Sequence, residues 1–288
     1  SELEPPRQEP KTNSVNQLPS LQRLESRLRR HDGGLLVAFS GGVDSAVLLA
    51  VAARVLGGRA VAVTADSPSM PREELHAAIR LATGIGARHR IVGTGEIERD
   101  EYVRNDRLRC YWCKHTLFER CEEIAREEGI RDIAYGYTLD DVGDFRPGQR
   151  AASELGVHAP LHDAGLGKRE IREIARELGL EVWDKPAAPC LSSRIPYGSA
   201  VTVEKLGKIE STEALLHQLG FRVCRARYDG ATMRIEVERD EIERLGRPEF
   251  LERVRMHTEE IGVSRIEIDP DGFRSGKLNV TLPDEVQT

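Results

Sequence analysis

An apolar run, Leu35-Leu36-Val37-Ala38-Phe39, passes without a break into Ser40-Gly41-Gly42-Val43-Asp44-Ser45 and then into a helical pattern of Val47, Leu48, Val51 and Val55. No other feature restricts the fold as much. A continuous apolar strand must be covered on both faces, as strands of parallel sheets are. The two glycines let the chain turn tightly, and the helix N-terminus beyond them offers free N–H groups and a positive dipole end. A strand, a tight turn and a helix start, in that order, mark the place where an open α/β sheet binds anionic ligands. Ser40, Gly41, Gly42, Asp44 and Ser45 are therefore candidate phosphate-binding residues. The plainer reading is a serine/glycine turn capped by Asp44.

The alternation continues downstream. The pattern predicts strands over 60–64, 90–92 and 132–136, and helices over 71–83, 111–128, 146–155 and 168–178. Leu21, Leu24 and Leu28 mark an earlier helical face. Such alternation means an α/β fold, a parallel sheet with helices on both faces. It stops at the proline-rich stretch 186–198, which cannot be an unbroken helix or a central strand. Beyond it the order becomes helix 203–219, strands 222–227 and 231–237, helix 248–261 and strand 266–268, a smaller α+β unit. Asp229-Gly230 between the two strands is a hairpin signal. The expected division is a flexible tail over 1–19, a phosphate-binding α/β domain over 20–200, and a smaller C-terminal α+β domain over 201–288.

Composition excludes some partners. The chain has 288 residues with 48 acidic and 42 basic side chains, a net charge of -6, which argues against nucleic-acid binding through overall charge. The longest apolar run, Ala46 to Ala53, is far short of the ~20 residues that a membrane-spanning helix needs. The first residues have no signal-peptide pattern, so a soluble cytoplasmic protein is expected. The five cysteines, Cys110, Cys113, Cys121, Cys190 and Cys224, are an odd number. That does not read as a disulfide framework, and a close pair in a reducing compartment points to metal or redox chemistry.

Cys110 and Cys113 form a C-x-x-C between Arg109 and Lys114, cations that favour thiolate. The spacing fits a zinc knuckle or a redox pair equally. Cys190 sits between Pro189 and Pro196 in a glycine-free stretch and is the third candidate thiol. Cys121, at helical spacing with Leu117 and Ile124, reads as core, as does Cys224. Asp140 and Asp141, after the strand 132–136, are a carboxylate pair suited to Mg²⁺ or else a solvated turn.

Taken together, Ser40 to Ser45, Arg109 to Lys114, Gly136 to Gly148 (GYTLDDVGDFRPG), Pro189 to Gly198 (PCLSSRIPYG) and Gly272 to Asn279 (GFRSGKLN) resemble the LarE family. These are ATP-dependent sulfur transferases of nickel-pincer nucleotide biosynthesis, within the PP-loop ATPase superfamily. Thr138 stands where the family usually has Asn, and Tyr137 where it usually has Thr. The resemblance implies that ATP adenylates a carboxylate of pyridinium-3,5-biscarboxylic acid mononucleotide, the loop holding the leaving pyrophosphate, and that sulfur then displaces AMP. It assigns ATP binding to the domain over 20–200, and substrate binding with self-association (oligomerisation) to the domain over 201–288. Some members sacrifice the sulfur of the cysteine matching Cys190, leaving dehydroalanine. Members with the extra pair resemble enzymes in which three cysteines hold a [4Fe-4S] cluster whose open iron binds exogenous sulfide. This chain has Cys110, Cys113 and Cys190, one thiolate short of the usual four, so the cluster subtype is expected.

The substrate's phosphate and carboxylates call for cations. Arg194, the Arg225 and Arg227 pair at i and i+2 on one strand face, and Arg274 with Ser275 are the candidates. Glu213 and Glu236 read as a second cation site or as solvated surface. Expected partners are the mononucleotide, a sulfide or other sulfur donor, other cofactor-assembly enzymes of the lactate racemase system and further copies of the chain. The rival readings are a PP-loop tRNA thiolase, against which the acidic balance counts, an amidotransferase-linked synthetase, and an ATP- or cluster-sensing protein without turnover.

Overall fold

The computed structural model describes residues 18–142, 147–186 and 188–274. Helix α1 (Pro19–Leu28) has proline in its first turn and buries Leu21, Leu24 and Leu28. Strand β1 (Leu35–Ala38) is buried along its whole length, as its unbroken apolar run requires. Helix α2 (Val43–Leu56) follows directly and is itself largely buried. Then come β2 (Ala60–Asp66), α3 (Arg72–Ile85), β3 (Arg88–Gly93), the short α4 (Asp100–Val103), α5 (Arg109–Glu128) and β4 (Asp132–Tyr135). The four strands are parallel in the order β3-β2-β1-β4. The chain steps from β1 to β2 on one side while β4 pairs on the other, so the C-terminal end of β1 is a topological switch point.

Alternate residues of β1 face opposite layers. Leu35 and Val37 pack with α1, α2 and residues Ile171 and Ile174 of α8 (Lys168–Glu177). Leu36 and Ala38 pack with Phe118, Cys121 and Ile124 of α5 and Ala152 of α6 (Pro147–Glu154). Both faces are thus covered, and Cys121 is core. The short α7 (Pro160–Asp163) precedes α8.

Most boundaries lie within a residue or two of the sequence pattern. β3 begins earlier, at Arg88, because it is an edge strand whose Arg88 and Arg90 reach out to Glu128; it lacks the apolar run that announces a buried strand. Helix α5 also begins earlier, at Arg109, which brings Cys110 into its first turn.

The C-terminal part contains α9 (Val203–Gln218), β5 (Cys224–Tyr228), β6 (Thr232–Val237), α10 (Ile242–Leu245), α11 (Pro248–Glu260) and β7 (Arg265–Ile268). β5 and β6 form an antiparallel hairpin, and β7 pairs parallel to β6. Asp229 shapes the turn by accepting the backbone N–H of Ala231 and Thr232, each at 2.8 Å. The core here includes Leu206, Phe221, Cys224, Met233 and Val254, together with Tyr102, Leu191 and Ile195 from earlier in the chain. The half-buried Trp112 and Cys113 pack against it, so the start of α5 belongs to the seam between the two layers of structure. Among the described residues no helix is long and apolar enough to cross a membrane.

Candidate functional site

Ser40 to Ser45 close onto themselves between β1 and α2. Ser45 Oγ donates to Gly42 O at 3.1 Å and accepts from Ser40 N at 3.3 Å, while the two serine hydroxyls lie 3.2 Å apart. Gly41 has φ 74°, and a Cβ there would lie 2.9 Å from the Cβ of Ala78 in α3. The position therefore needs glycine on both conformational and steric grounds. A Cβ on Gly136, just past β4, would lie 3.0 Å from Ser45 N, so a bare backbone there keeps the mouth of the loop clear. Gly42 caps α2 with no side-chain bond, leaving the first N–H groups of a long helix facing the loop, as an anion requires.

Lys168, at the start of α8, joins this site. Its Nζ lies 2.5 Å from Asp44 Oδ2, and its backbone N donates to Asp140 Oδ2 at 2.5 Å. Asp44 Oδ1 is buried without a hydrogen-bond partner. An orphaned carboxylate oxygen beside a phosphate loop suits a hydrated divalent cation, since Mg²⁺ takes oxygen ligands and retains waters. Asp140 is exposed and fits the same role. Asp141 departs from the expected pair. It is buried, and its Oδ2 accepts from Thr138 N at 2.9 Å and Thr138 Oγ1 at 3.0 Å. This is a capping box on the turn Leu139–Asp141, which uses Asp141 to shape the loop and gives the unusual Thr138 a structural partner.

The cysteines come together from two segments. Cys110 and Cys113 are a turn apart on α5 and so share a face; Cys110 is exposed and Cys113 half-buried. The loop carrying Cys190 is drawn to α5 by a set of clamps. Asn105, with the left-handed φ of 55°, donates from Nδ2 to Pro196 O at 2.8 Å and Ser199 O at 2.9 Å. Gly198 N and Val201 N close on Asn105 O and Val103 O. Tyr102 and Ser192 share a hydroxyl bond of 2.6 Å, and Leu191 N reaches Ser69 O at 2.8 Å. The buried Arg109 bonds Asn105 Oδ1 at 2.6 Å and Ser192 O at 2.9 Å, and its Nη2 lies 3.9 Å from Cys110 Sγ.

The thiols act on one another. Burial is the main reason that the Cys113 thiol is pushed up from its ordinary value, and the Cys190 thiol adds to this. Burial alone would lower the Arg109 guanidinium, but Cys190 and Cys110 outweigh it and hold it above its usual value. None of the three is in a disulfide; Cys110 is exposed and Cys113 and Cys190 are half-buried, so three thiol donors from α5 and the Cys190 loop are available to a thiolate-binding group.

The substrate arginines separate. Arg194 is 3% exposed and spends its donors on protein, in a bidentate pair with Glu213 at 2.9 and 3.0 Å and on the carbonyls of Pro189 and Cys190. It clamps the Cys190 loop to α9, which corrects its expected role as a free anion contact. Glu213 and Glu236 are buried rather than solvated; Glu236 holds Arg227 through bonds of 2.6 and 3.0 Å. Arg225 keeps a side chain over Phe273 and lines a cleft of about 480 Å³ with Arg72, Lys185, Pro189, Leu191 and Arg222. Pro189 and Leu191 flank Cys190, so the cleft opens beside it. Arg274 is exposed and lies 3.6 Å from Asp271, while Ser275 lies outside the described residues. Lys168, Asn105 and Tyr102 were missed from the sequence. Only Asn105 gave a signal, since Asn-Asp is turn chemistry and Asn tolerates a left-handed φ.

A parallel sheet with a Ser-Gly-Gly-x-Asp-Ser loop at its switch point defines an ATP-using protein of the PP-loop class, and the asparagine synthase family model matches residues 22–105. The chain is 41% identical, over 90% of its length and 99% of the relative's, to an uncharacterized protein of Synechocystis sp.. It is 35% identical, over 85% of its length and 89% of the relative's, to the pyridinium-3,5-bisthiocarboxylic acid mononucleotide synthase of Lactiplantibacillus plantarum. The chain belongs to the LarE family. One subunit of the glutamine-hydrolyzing GMP synthase of Halorubrum lacusprofundi is 28% identical over 67% of the chain and 64% of that protein, a likeness confined to the broader class.

Proposed function

We propose that the chain is an ATP-dependent sulfur transferase that converts the carboxylates of pyridinium-3,5-biscarboxylic acid mononucleotide to thiocarboxylates, with sulfur delivered at a [4Fe-4S] cluster held by Cys110, Cys113 and Cys190. The observation that carries the sulfur route is that Cys110 and Cys190 both lie within electrostatic reach of the buried Arg109, and Cys190 within reach of Cys113. In the first step a substrate carboxylate oxygen attacks the α-phosphate of ATP, and the bond to pyrophosphate breaks. Ser40, Gly41, Gly42 and Ser45 hold the departing pyrophosphate against the start of α2, and Asp44 with Asp140 would hold Mg²⁺. Adenylation is needed because a carboxylate oxygen is a poor leaving group and AMP a good one. In the second step hydrosulfide attacks the acyl carbon, AMP leaves with the C–O electron pair, and one proton is released. A three-cysteine cluster would supply an open iron for exogenous sulfide. Two rounds give the bisthiocarboxylate.

Within this reading Arg225 and the cleft beside Cys190 receive the substrate's anionic groups, with Arg274 and Ser275 as further candidates. Residues 20–200 carry ATP chemistry, and residues 201–288 supply substrate contacts and self-association, as a homo-oligomer that hands its product to other cofactor-assembly enzymes. Support for that division comes from the second hydrophobic core around β5 and β6, to which the 20–200 segment contributes only a few residues such as Tyr102, Leu191 and Ile195. The deciding experiment is anaerobic purification followed by iron and sulfide analysis, with intact mass measured before and after turnover. Bound iron and sulfide with an unchanged polypeptide mass are expected. A polypeptide lighter by the mass of H₂S after one turnover would overturn the cluster route in favour of sacrifice of Cys190.

A further inference from the structure

A second group of ligand-type side chains lies at the opposite end of the sheet from the phosphate loop. His31 stands in the turn before β1, Asp132 is the first residue of β4, and His158 follows α6. His31 Nδ1 is 2.6 Å from Asp132 Oδ2, and His158 Nε2 is 3.6 Å from Asp132 Oδ1. The two imidazoles meet edge to face with centroids 5.0 Å apart. One ligand atom from each residue lies within 4.8 Å of the other two. We propose that His31, Asp132 and His158 form a binding site for a divalent transition-metal ion of the zinc type.

The backbone sets all three positions without help from an ion. Parallel pairing places Asp132 level with Leu35, the first residue of β1. His31 is held by its N–H on Leu28 O at 3.1 Å and by Gly34 N–H on its carbonyl at 3.0 Å. His158 runs alongside β4, donating to Ile133 O at 2.8 Å and accepting from Tyr135 N at 3.1 Å. Three backbone positions from distant parts of the sequence are therefore fixed near one spot by main-chain bonds, so only side-chain rotation remains for an ion to set.

The donor types select the ion. Two imidazoles and one carboxylate are a common zinc-type set with a fourth position left for water. Mg²⁺ and Ca²⁺ prefer all-oxygen shells and would not use the two rings. Ligand bonds of about 2.0–2.2 Å need only small side-chain rotations from the present separations. Among the described residues no lysine or arginine is paired with Asp132; the neighbouring Arg131 guanidinium lies against Gly33 instead. The His31 side chain is 12% exposed and that of His158 45%, which gives one sheltered ligand and an open side for the ion to enter. Bound there, the ion would tie the turn before β1 to the segment after α6 and close that end of the sheet.

The test is equilibrium dialysis of the full chain, freed of metal with a chelator, against Zn²⁺ alone, in the wild type and in His158→Ala. His158 is half exposed and its hydrogen bonds to β4 are made by the backbone, so this variant keeps its fold; pyrophosphate exchange at the far end of the sheet should match the wild type. Zinc held by the three thiols is common to both proteins and cancels. The wild type should bind one equivalent more than His158→Ala, and Zn²⁺ should raise its melting temperature more. In the Co²⁺-loaded proteins, the difference spectrum should show visible ligand-field bands without a thiolate charge-transfer band. Equal zinc stoichiometry in the two proteins would overturn the proposal and leave a hydrogen-bonded His–Asp–His cluster. A difference spectrum dominated by thiolate charge transfer would overturn it equally.

Discussion

The loop Ser40 to Ser45 is one unbroken stretch shaped by bonds among its own residues, whereas Cys110 and Cys113 stand on α5 and Cys190 on a loop held near α5 by tertiary clamps. The first site needs a strand, two glycines and a helix start. The second needs Asn105, Arg109, Tyr102 and Arg194 to be in place before any two of its segments meet. The two half-reactions should therefore fail separately: damage to the loop should spare the thiols, and damage to the clamps should spare adenylation.

The sharpest break is Cys190→Ser. Thiocarboxylate formation should fall to background, a loss of at least about a thousandfold, while substrate-dependent exchange of pyrophosphate into ATP persists. Loss of both activities together would show that the two sites are not separable. Next comes Arg194→Met, which leaves the Glu213 carboxylate buried beside an apolar neighbour. Removing one partner of a buried ion pair costs about 3–5 kcal/mol, to be read from denaturant unfolding, and replacing Glu213 by glutamine in the same chain, which removes the charge but still accepts the Ala226 N–H, should recover part of it.

Gly41→Ala tests the loop alone. The added Cβ would sit 2.9 Å from the Ala78 Cβ, in a backbone conformation that alanine disfavours; relieving a contact that is about 1 Å too close displaces the loop, and a misplacement of about 1 Å costs about a hundredfold in a positioned reaction. Pyrophosphate exchange should drop accordingly, with Cys110 alkylation unchanged. The smallest effect sharpens the comparison within the cysteines themselves. Burial pushes the Cys121 and Cys224 thiols up to about 12. A raised value means less thiolate at a given pH, so at pH 8 only about one part in ten thousand is ionised. In cluster-free protein, mass spectrometry should find Cys110 alkylated first and Cys121 and Cys224 only after unfolding, with their protection falling as pH approaches 12.

Much of this molecule was legible before folding. β1, the phosphate loop and α2 read directly from the chain because an unbroken apolar strand and a glycine turn leave few alternatives. The hairpin at Asp229-Gly230 was legible for the same local reason. Cys121 and Cys224 separated from the other cysteines by periodicity. Side chains whose role depends on a distant partner were not legible. Arg194 read as an anion contact, yet Glu213 and two carbonyls consume its donors. Asp141 read as half of a cation pair, yet Thr138 turns it inward.

What the chain carried locally was the alternation of strands and helices and the passage from a buried strand through Gly41-Gly42 into a helix start, both of which depend on neighbouring residues and local backbone preference. The tertiary structure decided the strand order β3-β2-β1-β4, which arginines remain free for an anion, and the assembly of His31, Asp132 and His158. Those outcomes depend on which distant groups are buried together, and burial forces each charged side chain to find a partner that no local pattern names.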